Sequence, residues 1–233
     1  MPKIAVDVVL LPSDEMMDKA IEINRKLSAF SGNKMVLNKK DCLPHISLAM
    51  GVIDEKNLFF VEKDLQEIAK QFSPVSLEAA VSVHTTPTGE KNSWFEIKNI
   101  KELQALHEEV MKKFSGYFTY DAAAEALYSS SDADESTLSW INNYPQNSSF
   151  EKFSPHITLG VGEISDDGLQ MEFTPLERKP HPRLVRKNIS NRSGFLTGFT
   201  ASRLALCHLG NHYTCRKILA IADLIQKMQL DTD

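Results

Sequence analysis

Cysteine is scarce in this chain: Cys42, Cys207 and Cys215 are the only three in 233 residues. An odd, sparse set does not lay out a disulfide framework, and it fits a reducing compartment. Long apolar runs are missing as well. The first apolar stretch, Ile4 to Leu11, is interrupted by Asp7 and followed by Pro12. It is too short to span a membrane and lacks the pattern of a signal peptide. Excess positive charge is absent too, since the formal net charge is -5. A body of that charge does not grip long duplex nucleic acid through a general positive field, although a small phosphorylated ligand in a locally basic cleft fits. There is no Gly-x-Gly-x-x-Gly turn and no Gly-rich phosphate loop. The expectation is a cytoplasmic protein without a membrane partner.

Hydrophobic residues make up 42% of the chain, enough to bury a sizeable core. Ile4 to Leu11 reads as a strand, and Ser13 caps a helix that ends at Gly32-Asn33. Pro44 to Met50 alternates as a strand, and a helix follows over about 55–72. Val75 to His84 and Ser93 to Lys98 form a strand pair joined through Thr85 to Gly89, and a helix covers about 101–114. Ser129 to Ser149 is rich in Ser, Asp and Asn and reads as an insertion and a candidate lid, with a short helix from Asp132. Phe153 to Val161 is a strand, and Glu163 to Thr200 is a second insertion, rich in proline and basic residues. Ser202 to Leu209 and His212 to Leu224 make a closing hairpin whose second strand runs into a terminal helix. Frequent hairpins and few long crossovers predict an α+β fold with antiparallel sheets, built as one domain over 1–233.

One internal echo stands out. Pro44-His45-Ile46-Ser47-Leu48 recurs as Pro155-His156-Ile157-Thr158-Leu159. Side chains alternate across a strand, so His45 shares a face with Ser47 and His156 with Thr158, about 7 Å apart along each strand. Such a pair suits phosphodiester chemistry. One imidazole takes a proton from the attacking oxygen and the other gives one to the leaving oxygen near neutral pH. The hydroxyls donate hydrogen bonds to the non-bridging oxygens, and no metal or other cofactor is required.

The two His-x-Ser/Thr elements resemble the paired signatures of the 2H phosphoesterase superfamily, which includes bacterial 2′-5′ RNA ligase-like proteins and cyclic nucleotide phosphodiesterases. The resemblance implies a bilobal, pseudo-two-fold fold, with two antiparallel sheets flanking a central cleft and helices outside. It implies a catalytic pair, His45 and His156, with Ser47 and Thr158 binding phosphate. The expected activity is metal-independent hydrolysis of a 2′,3′-cyclic phosphate or a 2′-5′-linked oligonucleotide, with His156 as base and His45 as acid. RNA-end processing or 2′-5′ ligation, and a nucleotide-binding module without turnover, are the rivals. The partner is a nucleotide or short oligonucleotide.

Other clusters carry less. Cys207, His208, His212 and Cys215 suggest zinc. With Gly210-Asn211 as a two-residue turn, alternation puts Cys207 with His212 and His208 with Cys215 on opposite faces. That predicts neither a metal site nor a Cys207–Cys215 disulfide. His84, His107 and His181 read as ordinary residues. The basic stretch from Glu177 to Arg192 reads as a solvated loop, with a phosphate-binding patch as its sharper alternative. Trp140, Tyr213 and Arg203 are candidates to meet a base or phosphate, and Trp140 and Tyr213 suit packing at least as well.

Overall fold

A computed structural model describes residues 2–30, 32–85, 91–162 and 197–226. The elements are β1 (Lys3–Pro12), α1 (Asp14–Phe30), β2 (Ile46–Asp54), α2 (Leu58–Ala69), β3 (Val75–Thr85), β4 (Lys91–Ile97), α3 (Lys101–Phe114), α4 (Glu135–Asn142), α5 (Tyr144–Ser148), β5 (His156–Gly162), β6 (Thr197–Leu209) and β7 (Cys215–Asp223). Most fall where the periodicities put them. The Ser13 hydroxyl accepts from the Met16 amide at 3.4 Å, as the cap requires. Most of Glu163 to Thr200, the tip of the Thr85–Gly89 turn, the basic stretch and His181 lie outside the described residues.

The strands expected in two sheets are hydrogen-bonded into one antiparallel sheet, ordered β2-β1-β6-β3-β4-β5, with β7 also on β6. The joint is β6. Residues 203–208 of β6 pair with both β1 and β7, and its first residues, Thr197 to Ala201, pair with β3. The sheet therefore has two halves that share one long strand. Each half ends in a motif-bearing edge strand, β2 in the first and β5 in the second. These two edges come back near each other. Helices cover the apolar faces: α3 lies on β2, α1 on β5, and α2 on β6 and β7. Met16, Ala20, Leu27, Val61, Leu65, Ile68, Leu103, Leu106 and Phe114 share the main core with the strands. Strand β1, at the centre of the first half, is buried from Ala5 to Pro12. No helix among the described residues is long and apolar enough to cross a membrane.

The closing hairpin corrects the sequence reading. Its connection is not a two-residue turn. Asn211–Tyr213 form a 3-10 turn, with His212 and Tyr213 at positive φ, and the Gly210 amide reaches the Thr214 carbonyl at 2.9 Å. Leu209 consequently pairs with Cys215, and register shifts flank Cys207 and His208. Cys207 and Cys215 then share a face, with Cα atoms 5.4 Å apart, and are joined in a disulfide. Tertiary contacts explain the longer tip. The Asn211 side-chain oxygen accepts from the Asp134 amide and the Thr137 hydroxyl, and Trp140 packs near Tyr213. Residues 130–149 hold a 3-10 turn, α4 and α5, with Asp134 rather than Asp132 capping α4. Cys42 remains free and buried, so the cysteine count no longer argues for a reducing compartment. No terminal helix has begun by residue 226.

The disulfide gives a direct test. Thiol titration of the unfolded chain should find one reactive cysteine before reduction and three after. Closing so short a loop restricts the unfolded chain by about 2–3 kcal/mol. Reduction should therefore lower Tm by several degrees, as read by thermal melts with and without dithiothreitol.

Candidate active site

Each motif starts at the mouth of its edge strand. His45 immediately precedes β2, and His156 opens β5. The His45 Nδ1 lies 2.7 Å from the Leu43 carbonyl, and the His156 Nδ1 lies 2.9 Å from the Ser154 carbonyl. A carbonyl only accepts, so both rings carry their proton on Nδ1. In the neutral ring each Nε2 is thereby the nitrogen without the proton. In both cases the acceptor is two residues before the histidine, so the local chain itself selects the tautomer.

The echo extends into the register. Val9 pairs with Ser47 and Val8 with Ala49, so Leu48 is an extra residue bulged from β2. Trp94 pairs with Thr158 and Ser93 with Gly160, so Leu159 is bulged from β5 in the same way. A bulge removes a carbonyl from the ladder and re-aims the strand. Both freed carbonyls are satisfied by a buried polar side chain from the covering helix. His107 on α3 donates from Nδ1 to the Leu48 carbonyl at 2.7 Å. Asn24 on α1 donates to the Leu159 carbonyl at 2.8 Å. Asn24 also takes the Leu37 amide and donates to the Met35 carbonyl. His107 accepts the Phe150 amide at 2.8 Å and stacks on Phe153, bracing the loop that leads to His156.

The two sites differ in their surroundings. The His45 side chain is only 12% exposed. Burial pushes its pKa down to about 4, against the pull of the Leu43 carbonyl, and His156 lowers it further. The β2 and β5 edges that carry the two imidazoles approach each other. His156 is half-buried, with the Trp94 ring 5.0 Å away and tilted by 36°. Ser47 Oγ hydrogen-bonds Asp7 Oδ2 at 2.6 Å, and the same oxygen lies 3.7 Å from His45 Nε2. Thr158 makes no side-chain hydrogen bond among the described residues. Among those residues no group of three His, Cys, Asp or Glu side chains could hold a metal ion, and Cys207 and Cys215 spend their sulfurs on each other.

A family model described as the 2′-5′ RNA ligase superfamily matches residues 38–185, a span that contains both motifs. The chain belongs to the 2′-5′ RNA ligase superfamily. Solved structures carry the same fold at low identity. The crystal structure of TT0787 of Thermus thermophilus is 15% identical, with 97% of this chain and 100% of that one covered and a TM-score of 0.56. The apo crystal structure of E. coli LigT is 12% identical over the same shares, with a TM-score of 0.52. No curated protein matches.

In this superfamily member, His45 and Ser47 lie on the β2 edge and His156 and Thr158 on the β5 edge, and the two edges approach each other. Sequence reading passed over Asp7, Asn24, Trp94, Tyr144 and His107. Asp7 left one trace, as the only charge between Ile4 and Leu11. His107, read as ordinary, is fully buried and ties β2 to the loop before β5. Nothing in the sequence pairs Asn24 with Leu159, since that contact depends on how α1 docks.

Two outcomes follow. Asn24→Ala leaves the Met35 and Leu159 carbonyls without a donor and the Leu37 amide without an acceptor. Buried groups so orphaned cost ~1–3 kcal/mol each, so urea unfolding should show a loss of at least about 2 kcal/mol. His45 is neutral in the fold, and its folded pKa lies below the unfolded value near 6.5. The unfolded chain therefore binds the proton first on acidification. The associated stability is complete above about pH 6.5 and is lost as pH falls towards 4. His45→Asn should flatten the stability–pH curve in that window.

Proposed function

We propose that this protein is a metal-independent phosphodiesterase acting on a ribose-linked phosphate, most directly a 2′,3′-cyclic phosphate or a 2′-5′-linked oligonucleotide. The observation that carries the reading is the shared anchoring of His45 and His156. Each donates Nδ1–H to the carbonyl two residues back, which reserves Nε2 for proton transfer. Two such nitrogens near each other, each with a hydroxyl two residues on, form an acid–base pair around one phosphate.

The burial difference supports the opposite roles to those expected from sequence. His45, held neutral, has a lone pair to offer at neutral pH and acts as base. The more exposed His156 acts as acid. In cyclic phosphate hydrolysis, water attacks phosphorus and its proton passes to His45 Nε2. As the bond from phosphorus to the ribose oxygen breaks, His156 Nε2–H protonates that oxygen. Ser47 and Thr158 donate to the non-bridging oxygens, where charge rearranges. Ligation is the second reading, favoured by the description of the superfamily. It is the same ring opening with a 5′-hydroxyl in place of water as nucleophile: its oxygen attacks phosphorus, its proton passes to His45 Nε2, and the 3′-oxygen leaves with the proton from His156 Nε2–H.

The test is steady-state kinetics on 2′,3′-cyclic nucleotides and on 2′-5′ and 3′-5′ oligonucleotides, with and without EDTA. Turnover should survive chelation. His45→Ala and His156→Ala should each lower kcat by about 10²–10⁴-fold, and the double variant should fall well short of the product of the two losses. Ser47→Ala and Thr158→Ala should cost less. Binding without turnover by the wild type, or near-wild-type kcat in either folded histidine variant, rejects the mechanism.

A further inference from the structure

Asp7 sits at the middle of the apolar strand β1 and is fully buried. Its Oδ2 reaches Ser47 Oγ, and among the described residues its Oδ1 has no hydrogen-bond partner. Among the described residues no lysine or arginine pairs with it. The groups that face it are Ser47 and His45 from the β2 end, Tyr144 from α5 with Tyr120 beyond, and Cys207 across the ladder on β6. None compensates an anion: His45 is kept neutral, Tyr144 is pushed well above its usual range by burial, and Cys207 is in the disulfide. Burial accordingly drives the Asp7 carboxyl well above the normal carboxylate range, outweighing the opposite pull of Ser47 and of the Ala49 amide.

The other half of the sheet supplies an independent observation. Asp7 pairs with Met50, two residues past the Leu48 bulge. The matching position on β4 is Asn92, which pairs with Val161, two residues past the Leu159 bulge. Asn92 is the neutral isostere of aspartate, and its Oδ1 is also buried without a partner among the described residues. Where the fold repeats the position, it holds an uncharged side chain.

Charge at Asp7 decides what Ser47 can do, because a hydroxyl has one proton. An ionised Asp7 would take that proton in its own hydrogen bond and set a second anion behind the phosphate. A neutral acid reverses the bond. We propose that Asp7 is a positioning residue, held as a carboxylic acid that donates to Ser47 Oγ and so turns the Ser47 O–H towards a substrate phosphate. A carboxyl in an apolar site can stay neutral at pH 7 and act as such a donor. The proposal rests on the phosphodiesterase reading for its phosphate and on the buried geometry for its proton.

Two measurements on the full chain separate these. Infrared difference spectra of wild type against Asp7→Asn at pH 7 should show a protonated-carboxyl C=O stretch in the wild type alone. Its absence overturns the proposal, whatever the turnover. The second is binding of adenosine 2′-monophosphate and adenosine 3′-monophosphate across pH. The wild type and Asp7→Asn should bind within a few-fold of each other at neutral pH. The wild type should then weaken at least tenfold as Asp7 ionises on the alkaline side, while Asp7→Asn does not. Stability follows the same sign. A raised folded pKa favours the fold at low pH and is lost as pH rises through it, so Asp7→Asn should melt above the wild type in alkali. Adding Asp7→Ala to Ser47→Ala should weaken binding no further, since Asp7 acts through Ser47. Additive losses, or Asp7→Asn binding tenfold tighter already at neutral pH, overturn the proposal. A wild type with the carboxyl band but neither turnover nor binding sinks the phosphodiesterase reading, and the phosphate half of this proposal with it.

Discussion

A hydrogen bond of under 3 Å from each imidazole to the carbonyl two residues behind it constrains everything else at the site. It fixes the tautomer, so the proton sits on Nδ1 in both halves. It is also local. The carbonyls of Leu43 and Ser154 move with their own histidines, so the orientation does not depend on a distant loop. What must be long-range is the placing of the two motifs near each other. That task falls to β6, which belongs to both halves and lets the outer strands return towards one another.

The bulges at Leu48 and Leu159 show why buried polar helix residues were needed. A strand that must turn a histidine and a hydroxyl out of its covered face leaves a carbonyl off the ladder. Left alone, that buried carbonyl would cost about 1–3 kcal/mol. His107 and Asn24 answer the same geometric problem with different chemistry, so the repeat is one of backbone register rather than of side chains. His107 carries a second consequence. Its neutral ring both donates to Leu48 and accepts from Phe150, so one buried residue couples the first motif to the approach of the second. Burial lowers its pKa as it does that of His45.

Much of this was legible in the chain. The strands, the three long helices and the two motifs follow from periodicity and from a five-residue echo, because those signals are local. The closing hairpin was misread for the opposite reason. Gly210-Asn211 is a good two-residue turn by its own chemistry. Asn211 is instead held by Asp134 and Thr137 from a segment more than 70 positions away in the chain. That tertiary contact lengthens the tip, shifts the register and brings Cys207 to Cys215. The choice of base and acid has no such local signal. The motifs are nearly identical in sequence, and only their depth in the fold tells them apart.

The near-symmetry also explains where specialisation can enter. Register positions that flank the motifs are free to differ once the bulges and tautomers are fixed. Trp94, opposite Thr158 and beside His156, stands where Val9 stands opposite Ser47 in the other half. Asp7 stands where Asn92 stands. The first difference puts an aromatic face at the more open histidine, and the second puts a titratable group beneath the more buried one. An unpaired buried carboxyl is a poor way to stabilise a central strand. Val or Asn at position 7 would serve the core at least as well, so a group that weakens the fold persists at the point where it touches Ser47. The fold tolerates that cost because the surrounding strand is otherwise apolar through its buried length and doubly paired, between β2 and β6.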